Sequence, residues 1–225
     1  MRSPEVAKLA AVLLACAVAA PAAAQSHVYV EPSPRHLEIT PFAGLFWSTQ
    51  VNTPNGSVVF GAAPDLGATL GIQVDGKSQI EILYAFARPQ ARFQSTSPFY
   101  ASTPAFGVTT QYLQVGGLTT FEQGNVEPFL AGGLGMAWFH PSDVQVPGAA
   151  SIQPADTWLF AFHLGLGVKW FLSEAIGIRL EARAFMPVYF NSGTFLSGPS
   201  GAELRVNAGV PLVQGDLSLG LVIAP

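Results

Sequence analysis

The sequence predicts an all-β fold, specifically an eight-stranded antiparallel transmembrane β-barrel with short periplasmic turns and long extracellular loops. Three observations carry this reading. Alternation with a period of two, the mark of a strand with two unlike faces, recurs eight times along the 225 residues. One face holds nearly all the strand charges, while the other is apolar and carries all four tryptophans near strand ends. The connections are long and short by turns.

Composition agrees with a wall that faces lipid. The chain has 10 basic and 14 acidic residues, 11% charged, against roughly 25% in an average soluble domain. Its 23 glycines and 18 prolines are too many for a helix bundle. It has no basic cluster, which argues against a nucleic-acid partner. Arg2 and Lys8 precede an apolar run, Leu9–Ala20, and then Pro21-Ala22-Ala23-Ala24. This is a secretory signal over residues 1–24, cut after Ala24, and too short to span a membrane as a helix. Cys16, the only cysteine, leaves with it, so no disulfide or thiol chemistry is expected. Residues 25–35 are read as a periplasmic N-terminal segment and 36–225 as the barrel.

The first strand, His36–Trp47, sets Leu37, Ile39, Leu45 and Trp47 against Glu38, Thr40, Phe42 and Phe46. The second, Gly67–Val74, sets Leu70 and Ile72 against Thr69 and Gln73. The third, Gln79–Arg88, sets Ile80, Ile82 and Tyr84 against Glu81, Leu83 and Ala85. The fourth, Thr109–Glu122, sets Leu113, Val115 and Phe121 against Gln114, Gly116 and Thr120. The fifth, Val126–Phe139, is bulky on one face (Leu130, Leu134, Met136, Trp138) and small on the other, apart from Phe129 and Phe139. The sixth, Thr157–Phe171, opposes Trp158, Leu164, Leu166 and Trp170 to His163, Gly165 and Lys169. The seventh, Ile176–Tyr189, opposes Ile178 and Leu180 to Arg179, Glu181 and Arg183. The eighth, Asp216–Ala224, opposes Leu217, Leu219 and Leu221 to Ser218 and Gly220. Ala202–Asn207 also alternates and is read as a ribbon in the last long loop, since a ninth strand would break the even count.

Trp47, Trp138, Trp158 and Trp170 form the predicted aromatic girdle. Trp158 and Trp170 lie on one strand, twelve residues apart. At about 3.3 Å per residue and a tilt of about 40° they bracket about 30 Å of height, which suits a lipid-facing band. Asp75-Gly76, a favoured tight-hairpin pair, lies in one of the three short connections.

Val126-Glu127-Pro128-Phe129 running into Gly132-Gly133-Leu134-Gly135, the signal peptide, and Gly220 near the end of the last strand resemble the small eight-stranded outer-membrane barrels of the OmpX and OmpW-like kind. Such barrels end in an aromatic residue, whereas this chain ends Ile223-Ala224-Pro225. The resemblance implies an outer-membrane location and a wall in contact with outer-membrane lipids and lipopolysaccharide. It also implies folding by the barrel-assembly machinery, and a monomer. It covers residues 36–225 and speaks for architecture more than for activity.

Eight strands enclose a lumen just wide enough to be filled by side chains. Glu38, Glu81, His163, Lys169, Arg179, Glu181 and Arg183 are therefore read as an interior polar network, its charges near balance as buried charges require. Gly165, also inward, is expected to accept a serine if there is room. His140-Pro141-Ser142-Asp143 holds the residue types of a catalytic triad, crowded too closely to act in series. No catalytic, metal or cofactor site is predicted. The leading expectation is a non-enzymatic barrel serving envelope structure or surface interaction through its long loops. The alternative is a narrow channel for small hydrophobic molecules, suggested by inward Phe42, Phe46, Phe129 and Phe139. A soluble lipocalin-type barrel and a lipid-modifying enzyme rank lower.

Overall fold

The computed structural model describes residues 36–53, 56–95, 106–121, 124–143, 156–188, 194–197, 203–205 and 212–225. The predicted signal segment, residues 1–24, and residues 25–35 lie outside them. Among the described residues there is no helix, and thirteen strands form. They are β1 (Leu37–Ser48), β2 (Val51–Thr53), β3 (Gly56–Phe60), β4 (Ala63–Gln73), β5 (Ser78–Ala87), β6 (Gln90–Ser95) and β7 (Phe106–Thr120). There follow β8 (Val126–Pro141), β9 (Thr157–Phe171), β10 (Ile176–Val188), β11 (Thr194–Ser197), β12 (Glu203–Arg205) and β13 (Gln214–Ile223).

Eight of these close a barrel, each paired antiparallel with its neighbours: β1, β4, β5, β7, β8, β9, β10 and β13, with β13 returning to β1. They match the eight strands of the sequence reading to within a few residues. The ninth run behaves as expected, since β12 pairs only with β11. Four strands were not anticipated, β11 and three that lie beside the barrel wall. β2 and β3 form a hairpin, β3 pairs with β6, and β6 continues onto the start of β7 through Gln90–Gly107 and Ala91–Phe106. The first two long connections therefore extend the barrel wall. Their pattern is short and broken by Pro54 and Pro89, which hides them from a period-two reading.

Period two is also the burial period. In β13 the pattern from Ser218 on is buried-exposed without a break. The exposed side is Leu, Ile, Val and Trp, with Leu166 at 64% and Leu219 at 58%. An apolar exterior around a polar interior is the inverse of a soluble barrel, and it is the stable arrangement when the solvent outside is hydrocarbon.

Candidate functional site

The interior is a stack of ion pairs separated by aromatic rings. At the turn end, Lys169 is fully buried and its Nζ donates to Glu38 Oε2 at 2.5 Å and to Gln79 Oε1 at 2.8 Å. Gln79 Nε2 donates in turn to Glu38 Oε1 at 2.8 Å. One level up, Arg179 donates to Glu81 at 2.5 and 3.2 Å and through Nε to Glu181 Oε2 at 2.8 Å. Arg183 donates to the same Glu181 Oε2 at 2.9 Å and to Asp216 Oδ2 at 2.7 Å. The guanidinium carbons of Arg179 and Arg183 lie 4.5 and 4.2 Å from the ring centroids of Phe129 and Phe42. These rings supply packing area and a cation–π face. His163 Nδ1 is bonded to Gln114 Oε1, and Tyr112 donates to Gln214 Oε1.

All seven residues assigned to the interior from sequence are buried; Lys169 and Glu38 form one ion-paired group, Arg179, Glu81, Glu181 and Arg183 another, and His163 is bonded to Gln114 instead. Reading by sequence alone missed Asp65, Glu127 and Asp216, which are equally buried. Asp65 precedes the second strand as read from sequence; β4 starts earlier, at Ala63. Asp216 and Glu127 had the inward parity but sit at strand ends. Gly165 has no room for a serine: a Cβ there would lie 2.5 Å from Glu181 Oε1 and 3.2 Å from Arg183 Cγ. Gly67 and Gly167 leave similar space for the rings of Phe42 and Phe129. The inward phenylalanines are thus part of the packing.

The tryptophans lie on the outward face. Trp138 and Trp158 sit opposite each other in β8 and β9 and stack at 5.3 Å, with Trp47 also at the loop end and Trp170 at the turn end. Beside the Trp pair, His140 Nδ1 lies 2.5 Å from Asp156 Oδ1, and Trp138 Nε1 donates to Asp156 Oδ2 at 3.2 Å. The partner of His140 is thus Asp156, which the sequence reading did not foresee. Ser142 turns instead to the neighbouring strand, where its Oγ accepts from Gly107 N at 2.9 Å and donates to Gly107 O at 3.0 Å.

No family model and no curated protein matches the chain. Solved structures do match in fold. Neisserial surface protein A is 12% identical, covers 84% of this chain and 97% of its own, and gives a TM-score of 0.52. The outer membrane protein OprG from Pseudomonas aeruginosa is 15% identical, with 84% and 96% covered and a TM-score of 0.52. The outer membrane protein AlkL in lipid bilayers is 15% identical, with 88% and 96% covered and a TM-score of 0.50. The fold is that of the small eight-stranded outer-membrane barrels.

Proposed function

We propose that this chain is a filled, non-conducting and non-enzymatic barrel whose contribution to the envelope is structural or made by its long outer connections. The observation that supports this most is the occupied lumen. Lys169, Glu181, Asp216, Phe129 and Phe139 are each at most 2% exposed, and the charged groups grip one another instead of lining a watery path. On this reading its partners are outer-membrane lipids and lipopolysaccharide around the wall and the assembly machinery during folding, and it acts as a monomer. The signal segment is removed on export.

The test is electrical. Purified barrel reconstituted into a planar bilayer is expected to give no steady conductance. A steady, charge-selective current, or uptake of small apolar solutes into vesicles, would replace this reading with the channel one. Orientation is checked by Asp143→Cys at the loop end and Lys77→Cys at a turn. Only the former is expected to react with an impermeant thiol reagent on intact cells.

A further inference from the structure

The lumen holds more acid than base. Glu38, Asp65, Glu81, Glu127, Glu181 and Asp216 are buried, against Lys169, Arg179 and Arg183, leaving three negative charges in excess among the described residues. Asp65 is the exceptional member. It is 2% exposed, and neither carboxyl oxygen has a hydrogen-bond partner. Asp216 is fully buried, with Oδ2 taken by Arg183 and Oδ1 unpartnered. A bare buried carboxylate without a donor is among the costliest arrangements in a protein interior.

Backbone register brings the two together. Gly44 in β1 faces Asp65 in β4 on one side and Ser218 in β13 on the other, and its neighbour Phe46 faces Asp216. Gly44 has no side chain, so Asp65 leans across it: a Cβ there would lie 2.6 Å from Asp65 Oδ1 and 2.8 Å from Ser218 Cα. On the inward face of β13, Asp216 is the next side chain before Ser218, so two buried carboxyls with three unpartnered oxygens stand around Gly44. Four carboxylate oxygens are four acceptors, and a hydrogen bond between them requires a proton.

The nearby donors do not balance a second carboxylate: Arg183 Nε and the Thr110 hydroxyl are buried without partners, but the arginine is already set against Asp216 and the hydroxyl adds no charge. From β10, Arg183 is divided between Asp216 and Glu181, and Glu181 is itself an acid. From β7, Tyr112 gives its proton to Gln214, while His163 of β9 is bound to Gln114. β5 presents Ala85 and Ala87. The hollow beside Asp65, walled by these alanines with Phe46, Phe86, Thr110, Tyr112 and Phe185, is too narrow for a water-sized particle. No cluster of three metal-ligating side chains occurs among the described residues.

We infer that Asp65 and Asp216 form a proton-binding site, sharing one proton that closes the interior network at its loop end. Loss of that proton sets two like charges side by side with one arginine between them, and Arg183 carries the disturbance to Glu181. The site is independent of any role of the outer connections.

The experiment is infrared spectroscopy of the barrel folded in lipid vesicles, paired with unfolding midpoints as a function of pH. The wild type is expected to show the C=O stretch of a protonated carboxylic acid at neutral pH and to lose stability as the pH rises from the ordinary aspartate range through the value at which the site releases its proton. In Asp65→Asn the amide donates to Asp216 without titrating, so the acid band should vanish and this loss flatten. Asp216→Asn should abolish the same band. The infrared reading on the wild type needs no variant to fold. Absence of the acid band at neutral pH, or an unchanged pH slope in Asp65→Asn, would overturn the site. So would stabilisation by added sodium or calcium in the wild type that Asp65→Asn lacks, since it would make the ligand a metal cation.

Discussion

Arg179 takes Glu81 in a two-point grip across the barrel, Nη1 2.5 Å from Oε1 and Nη2 3.2 Å from Oε2. The two residues lie 98 positions apart in the chain, on strands that are not neighbours in the wall. Planar guanidinium and planar carboxylate match in this fork geometry, and no lysine could reproduce it. The grip ties β5 to β10 through the lumen, and Arg179 Nε then passes the connection to Glu181.

Glu181 joins the two arginines, so its charge is the one whose loss is felt most widely. Both guanidinium groups donate to its Oε2, at 2.8 and 2.9 Å. Glu181→Gln keeps the shape and removes the charge, leaving two buried cations short of an anion. A loss of about 3–5 kcal/mol is expected, the range for breaking a fully buried pair. A urea titration of the barrel in vesicles measures it, and an unchanged midpoint would mean the lumen is hydrated.

Gly165→Ala places a methyl group against the carboxylate that Glu181 offers to both arginines. Because Glu181 is held at two points, it cannot swing aside freely. Overpacking of this kind costs about 1–3 kcal/mol, and the same denaturant titration should show it. Gly117 is a suitable control, since its Cβ would meet only Gln79 O at 3.5 Å.

Leu166 stands at the middle of β9 on the lipid side, 64% exposed. Leu166→Arg should cost about 2–4 kcal/mol, the range for a cation at the bilayer midplane. Leu166→Ala should cost much less. Equal stability of the arginine variant in lipid would mean that this face does not meet hydrocarbon.

Asp75 governs one of the short turns, accepting the backbone N–H groups of Lys77 and Ser78 at 2.8 and 2.7 Å. The Lys77 amide first, and the Ser78 amide second, hold its carboxyl below the ordinary aspartate range. A carboxyl depressed by folding stabilises the fold above its unfolded pKa, and this contribution disappears as the pH falls through the folded value. The pH dependence is therefore confined to pH below the ordinary value of 3.8, and the stabilisation is complete above it. Asp75→Asn should show a lower unfolding midpoint at neutral pH and a shallower acid limb, the two proteins converging as the pH falls.

Much of this architecture is written locally in the chain. Successive side chains of a strand point to opposite faces, so Leu166 outward and Lys169 inward follow from parity alone, and one wrong step would have reversed every residue of β9. The partners follow a different rule. Lys169 meets Glu38 from 131 positions away, and that pairing depends on barrel closure and on the stagger between strands, which no alternation encodes. The same stagger carries Asp65 across Gly44 toward β13, joins His140 to Asp156 and turns Ser142 to Gly107. Strand parity assigns a residue to the lumen or to lipid, but the level at which it sits, and therefore what it touches, exists only once eight strands have closed on one another.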